Sequence, residues 1–438
     1  MRARKAITLN LFLSSGDFRM TLPARIATRL PVSYGWVILV IATAVHMVSY
    51  PGQSVVIAVY NPSLRAALGL SHGDFAGIYM LATLIAGGAA LIIGAAIDRF
   101  GVRSVSIVAI VAMLGACVFM SSVSSALTLF VAFVFLRVVG HSALPMIADN
   151  AVAMWFDRRL GSVTGIKNMV VAGCIGIVPA LNMWLIKCYG WRFAFSVQGI
   201  FFAVTVLPMI GLLFRNCPAD LDETIDGGSG TVVTVAEPPV AADFTAGAAI
   251  RTRACWLIIL FSSLRGVVWA GIVFHIMPLF ASRGLTEADV ASTLVVFGIC
   301  LALSQLFGGF VADRLPLPLL LTLTQGMIAV GCFCLLQMSS TSLAFAFAVV
   351  VGIGEGLGNI TVAALWPRYY GRRHLGKIRS LGMAALVIGS SVGPYLFGIA
   401  YDAWNSFDRP LTILTILCVI LTVFMPLTTM PKAQYISP

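Results

Sequence analysis

The sequence predicts an all-α membrane protein of twelve transmembrane helices in two six-helix repeats. Three observations predict it. Hydrophobic residues make up 59% of the 438 residues and charged residues only 10%, where a soluble domain carries about a quarter charged residues. Apolar runs recur that are long enough to cross a bilayer core, which takes about 20 helical residues. The chain also repeats itself at an offset of 215. Gly69-Leu70-Ser71-His72-Gly73-Asp74-Phe75-Ala76 returns as Gly284-Leu285-Thr286-Glu287-Ala288-Asp289-Val290-Ala291, and Pro179 returns as Pro394. A parallel repeat spanning half of an apolar chain implies two homologous halves with a site between them.

Taken in order, the runs place spans at about 35–58, 75–97, 104–122, 127–153, 163–186, 193–214, 255–280, 289–312, 317–338, 341–366, 378–401 and 410–431. The first six fall in an N-terminal half, 33–215, and the last six in a C-terminal half, 254–432. Residues 216–253 break the apolar pattern with Asp220, Asp222, Glu223, Asp226, Gly227, Gly228, Pro238 and Pro239, and are expected to be a flexible linker. Residues 1–32 carry Arg2, Arg4 and Lys5 without a clean cleavage site. They are expected to be a cytoplasmic tail rather than a signal peptide, with Met20 as an alternative start, and 433–438 a short C-terminal tail.

The net charge of +11 is explained by its placement. With the N-terminus inside, 21 of the 28 Lys and Arg fall in cytoplasmic segments and five in outer loops, leaving Arg137 and Arg265 within spans. That asymmetry is the positive-inside rule, so both termini are expected in the cytoplasm, and the basicity marks topology rather than nucleic-acid binding. The nine Cys lie mostly inside spans, which excludes a disulfide framework, and none has metal-site spacing. No phosphate-binding Gly-rich loop or nucleophile elbow is present. No cofactor, metal, ATP or enzymatic activity is expected.

After the second span the chain reads Gly94-Ala-Ala-Ile-Asp98-Arg99-Phe100-Gly101-Val102-Arg103, and after the eighth Gly309-Phe-Val-Ala-Asp313-Arg314. This resembles the signature loop of the major facilitator superfamily, Gly-x-x-x-Asp-Arg-x-Gly-x-basic, at the right helix end in both halves. The resemblance covers about residues 33 to 432. It implies the major facilitator fold, a secondary transporter working by alternating access, and a multi-pass location in a bacterial inner membrane. Asp98 ends a helix where the dipole is negative, so it needs a cation or another helix's N-terminus opposite it. A cytoplasmic latch, with Gly94, Asp98, Arg99, Gly101, Arg103, Gly309, Asp313 and Arg314 as its parts, is the favoured reading. The alternative is a plain topology signal from Arg99 and Arg103.

Ionisable groups in mid-span are costly in hydrocarbon unless they face protein or water. His46, Arg137, His141, Asp149, Arg265, His275 and Glu355 fall on spans 1, 4, 4, 4, 7, 7 and 10, and the resemblance implies that these four spans line a central cavity. Arg265 and Arg137 suit an anionic substrate, since a guanidinium grips a carboxylate through a two-donor fork. Arg137 is equally open to being a helix-packing bridge. Glu355 could carry a proton or stand as an ion-pair partner of either Arg. His46 and His141 are open between proton transfer and satisfied interior histidines. Asp149 is expected to serve the gate or pair with Arg158 or Arg159. Tyr50, Gln53 and Asn359 are polar liners, and Pro51-Gly52 should break the first helix.

Trp155-Phe156-Asp157-Arg158-Arg159, its counterpart Tyr369-Tyr370-Gly371-Arg372-Arg373, and Tyr34-Gly35-Trp36 resemble the monocarboxylate-porter and oxalate/formate-exchanger branch. The charged residues of span 8 in those porters, and of spans 8 and 11 in those exchangers, have no counterpart in this reading. The resemblance thus implies a small organic anion moved with protons or by exchange, without naming it. The alternatives are a proton-driven exporter of lipophilic drugs, with Trp269, Phe274 and Met277 as greasy walls, and a non-transporting sensor on the same fold.

Overall fold

The computed structural model describes Pro23 and residues 33–70, 72–221, 223–227 and 243–431. Among the described residues, ten segments are long and apolar enough to cross a membrane. One of them, Gly77–Ser121, would measure about 68 Å as a straight helix, over twice the hydrocarbon thickness. It breaks at Gly101, whose φ of 79° only glycine adopts freely, and so forms two crossings, α2 (72–100) and α3 (102–121). Leu160–Tyr189, 30 residues long, is the twelfth crossing, α5.

The others are α1 (Gly35–Leu68), α4 (Ala126–Trp155), α6 (Trp191–Leu213), α7 (Arg253–Phe274), α8 (Glu287–Ala312), α9 (Leu317–Leu336), α10 (Thr341–Tyr370), α11 (Leu375–Trp404) and α12 (Asp408–Phe424). α1 extends ten residues past its predicted outer limit and α5 three, so Arg65 and Lys187 lie in last helical turns rather than in loops. The face that bears the start of α1, the α2–α3, α4–α5 and α10–α11 loops and the linker carries most of the Lys and Arg. It is called the basic face below.

α1 and α4 are both irregular, and at the same level. Pro51 has no backbone donor, and Tyr50–Gly52 forms a 3₁₀ turn that splits α1. Opposite it, Arg137–Ala143 winds as a π-helix within α4. Here the two backbones nearly touch: a Cβ on Gly140 would stand 2.8 Å from the Gly52 Cα. Gly52 O, freed by the break, accepts 2.9 Å from Arg137 Nη1. Their counterparts α7 and α10 run unbroken through this level. Between the halves, α2 packs on α11 and α5 on α8.

The ends of the linker are docked rather than free. Glu223 accepts from Tyr34 N at the start of α1, Asp226 from the α4–α5 loop, and Asp243 from the α10–α11 loop. Residues 222 and 228–242, on which the flexible-linker expectation also falls, lie outside the described residues. So do the tails 1–22, 24–32 and 432–438.

Candidate functional site

The basic face is closed by two interlocking contacts. Asp98, at the end of α2, accepts from Gly376 N (2.7 Å) and Lys377 N (2.8 Å), the first turn of α11. Asp313, at the end of α8, accepts from Gly161 N and Ser162 N (both 2.8 Å) and from Ser162 Oγ (2.7 Å), the first turn of α5. Gly161 and Ser162 stand 215 residues before Gly376 and Lys377, so the two contacts are repeat-related. Each carboxylate thus meets the positive end of a helix from the other half. The glycines let the backbones come this close. A Cβ on Gly94 or Gly376 would overlap the other's carbonyl, and Gly309 and Gly161 stand in the same relation.

The contacts differ in two respects: the Ser162 hydroxyl adds a side-chain donor on Asp313 where the equivalent residue is Lys377, and a cation joins one of them. Arg368 Nη2 also binds Asp313 (2.9 Å), whereas the position 215 residues earlier is Ala153. Arg372 joins the halves as well, donating to Ala153 O, Phe156 O and Asp157. Arg103 serves the loop itself: its amide meets Asn216 Oδ1 at 2.9 Å and its guanidinium Gly211 O. Arg99 and Arg314 point to the exterior.

Above this closure lies a cavity of about 280 Å³. Its polar wall comes from both halves: His46, Asp149, Arg265, Gln305, Asn359 and Arg379. On the C-terminal side Arg265 is paired with Glu355 and donates to Asn359 Oδ1 at 2.9 Å, with the Phe261 ring 5.4 Å away. The fork of Arg265 is therefore held by α10 and presented to the cavity. Toward the basic face, Asp149 pairs with fully buried Lys167 and, at 3.5 Å, with Arg379 from the other half. Arg379 also reaches Asn150 Oδ1 (3.3 Å) and Ala363 O (3.2 Å).

Two of these residues correct the sequence reading. The charge count leaves only Arg137 and Arg265 within spans and so places Lys167 and Arg379 in cytoplasmic segments, although the runs 163–186 and 378–401 contain them. Lys167 instead lies seven residues inside α5 and Arg379 four inside α11, both buried. α11 is therefore charged after all. Asp149 pairs with these two and not with Arg158 or Arg159.

The remaining expected residues divide. His46 lines the cavity, and its buried Nδ1 has no partner. Arg137 does not line it. At 2% exposure, it donates to Thr83 Oγ1 and Gly52 O and lies 4.9 Å from the centre of the Tyr79 ring, tying α1, α2 and α4 together. Gln53 sits beside it, donating to Gly140 O (3.0 Å) and meeting His141 Nδ1 (3.2 Å). The Tyr50 hydroxyl binds Val171 O on α5. These three belong to the packing layer behind the cavity wall. His275 marks the outer end of α7 and contacts Pro394 O. Trp269 stacks on Phe297, while the side chains of Phe274 and Met277 lie outside the described ones.

Twelve helices in two repeats, closed on one face around a charged central cavity, define a multi-pass membrane transporter. The family model for the Major Facilitator Superfamily matches residues 42–316 and 276–435, and the chain belongs to that superfamily. Solved structures agree in fold. The proton:xylose symporter XylE bound to 6-bromo-6-deoxy-D-glucose is 16% identical, with a TM-score of 0.70 over 91% of this chain and 96% of that one. The human organic anion transporter MFSD10 is 12% identical, with a TM-score of 0.69 over 91% and 100%. FucP, in the outward conformation, is 13% identical, with a TM-score of 0.67 over 90% and 99%. At these identities the likeness concerns fold alone. No curated protein matches the sequence.

Proposed function

We propose that the protein is a secondary active transporter of a small, monocarboxylate-like organic anion, working by alternating access in the inner membrane, with proton coupling or exchange. The observation that carries this reading is the charge of the cavity. Arg265, Arg379 and Asp149 line the cavity, and counted with their ion-pair partners Glu355 and Lys167 they make three cations against two carboxylates. One positive charge is left for a ligand to neutralise, and a buried charge without a partner is costly. Lipophilic cations would add to that excess, which disfavours the drug-exporter alternative.

Arg265 and Asn359 bind the carboxylate, with His46 on the facing wall. A carboxylate that takes the Arg265 fork releases Glu355, which can then load a proton. Arg137, Gln53, His141 and Tyr50 hold α1 and α4 in shape behind the site. The basic face is cytoplasmic, in keeping with the positive-inside rule, so both termini are cytoplasmic too. Asp98 and Asp313 latch that side shut while the cavity is reached from outside. The monocarboxylate-porter and oxalate/formate-exchanger branch is the kin this predicts.

Thermal stability of the purified protein tests the reading. A ligand at about 100 times its Kd stabilises the folded state by about 2.7 kcal/mol. Short carboxylates should do so in wild type and fail in Arg265→Gln. Stabilisation by lipophilic cations alone, unchanged in that variant, would sink it.

A further inference from the structure

The triad of Asp149, Lys167 and Arg379 has a shape the anion reading does not use. Its carboxylate is the accessible member: the Asp149 side chain is 26% exposed, against 0% for Lys167 and 7% for Arg379. Its two cations come from opposite halves. Arg379 is loosely engaged, with bonds of 3.2 to 3.5 Å to Ala363 O, Asn150 Oδ1 and Asp149. Around it, two buried polar atoms lack partners, His46 Nδ1 and Asn150 Nδ2, and His46 lines the same cavity. A buried polar atom without a partner calls for an explanation, and a visiting anion would supply one for both. A ready set of anion donors is thus held shut by an internal carboxylate.

We infer that this triad is a second anion subsite, with Asp149 as the built-in surrogate for a substrate carboxylate, and that the substrate is a short dicarboxylate. The proposal rests on the anion reading and puts a dicarboxylate in place of its monocarboxylate. One carboxylate takes Arg265. The other displaces Asp149 from Lys167 and Arg379.

Arg265 contacts Asn359 and Arg379 contacts Ala363, one turn further along α10, about 6 Å at 1.5 Å per residue. The two cations thus flank one stretch of the cavity wall, a span that the two ends of a short dicarboxylate can bridge.

The charges fix the proton count. A monoanion brings the +1 cavity to zero unaided. A dianion brings it to −1, and one proton on a freed carboxyl, Asp149 or Glu355, restores zero. Lys167 on α5, Arg379 on α11 and His46 on α1 are the titratable groups around Asp149. The Arg379–Asp149 contact also joins the halves, so substrate binding loosens the seam from within.

Calorimetry with succinate and butyrate on the full-length protein tests this. Wild type should bind succinate at least about tenfold more tightly than butyrate. It should take up about one proton more with succinate than with butyrate, read from titrations in buffers of different ionisation enthalpy. Asp149→Asn, which removes the surrogate, should tighten succinate about tenfold, and Arg379→Gln should bring succinate down to the level of butyrate. Equal binding of the two acids by wild type would overturn the subsite without needing any variant. Weaker succinate binding by folded Asp149→Asn would overturn the surrogate role. Failure of both acids to bind, or binding indifferent to Arg265→Gln, would instead bring down the anion reading itself.

Discussion

Asp98 and Asp313 occupy matching places in the two halves and make matching contacts, each on the first turn of a helix across the seam. Arg137 and Arg265 are also one to a half, at similar depth, yet their fates diverge. Arg137 is spent inside the N-terminal half on Gly52 O and Thr83, while Arg265 faces the cavity. Their repeat counterparts, Gly352 and Tyr50, carry no charge. The difference separates two requirements. Closing a face is a motion shared by both halves, so its parts can be symmetric. A cavity that holds one ligand is under no such demand, so its lining is free to depart from the repeat.

The largest expected effect attacks the symmetric part. Gly94→Ala and Gly309→Ala each set a methyl group against the backbone of α11 or α5. Overpacking of this kind costs about 1–3 kcal/mol. At the upper end it shifts the closed population about 100-fold. Spin labels at Arg159→Cys and Arg373→Cys should show the basic face opening equally in both variants. Unequal opening would break the symmetry claimed here.

The next effect sharpens the contrast between the arginines. Truncating one partner of a buried charge pair costs about 2–5 kcal/mol, so Arg265→Gln should weaken anion binding about 30-fold or more. Arg137→Gln should leave the affinity of the folded protein nearly unchanged. It should instead lower thermal stability, by about 2 kcal/mol for the stranded Gly52 carbonyl. If Arg137→Gln abolished binding without loss of stability, Arg137 would return to the list of ligands.

That contrast was only partly legible in the sequence. Span number placed Arg137 and Arg265 alike, since both are mid-helix on spans expected to line the cavity. What divides them is a local event, the break at Tyr50–Gly52, which frees a carbonyl that Arg137 then satisfies. Pro51-Gly52 announced the break, but not which side chain would answer it. The Asp98 and Asp313 contacts were legible in part: a carboxylate at a helix C-terminus calls for a positive partner and the spacing recurs, but neither the partner helices nor the outward turn of Arg99 and Arg314 could be read from it. Lys167 and Arg379 were lost to a counting rule. The apolar runs 163–186 and 378–401 already contain them, but each stands close behind a basic loop, and the charge count assigns it to that loop's side. The helices in fact begin at Leu160 and Leu375, and their first turns already face the seam.

A smaller effect separates the two latches. Asp313→Asn gives up the Arg368 pair as well as weakening the amide contacts, whereas Asp98→Asn loses only the latter. A charge-assisted bond of this kind contributes about 1.5–3 kcal/mol. The same spin labels should therefore show Asp313→Asn opening the basic face about tenfold more than Asp98→Asn. Equal opening would mean that Arg368 serves Ala312 O and Asp157 O rather than the latch.

The smallest effect concerns the linker, where the repeat reappears. Asp226 accepts from the amides of Asp157 (3.1 Å) and Arg158 (2.8 Å). Asp243 accepts from those of Arg372 (3.1 Å) and Arg373 (3.2 Å), which lie 215 residues further on. Two carboxylates from one connecting segment thus cap equivalent loops of the two halves. These amides are near solvent and re-hydrate when released, so Asp226→Ala or Asp243→Ala should cost no more than about 1 kcal/mol. Hydrogen exchange at 157–158 or 372–373 should quicken about fivefold, each variant affecting its own loop. The double variant decides what the segment is. Distant and independent sites add, so additive losses would make these two separate caps. A loss beyond the sum would make the linker a strap that holds both halves in the closed arrangement, and would carry the symmetry of the latches into a segment that has no repeat of its own.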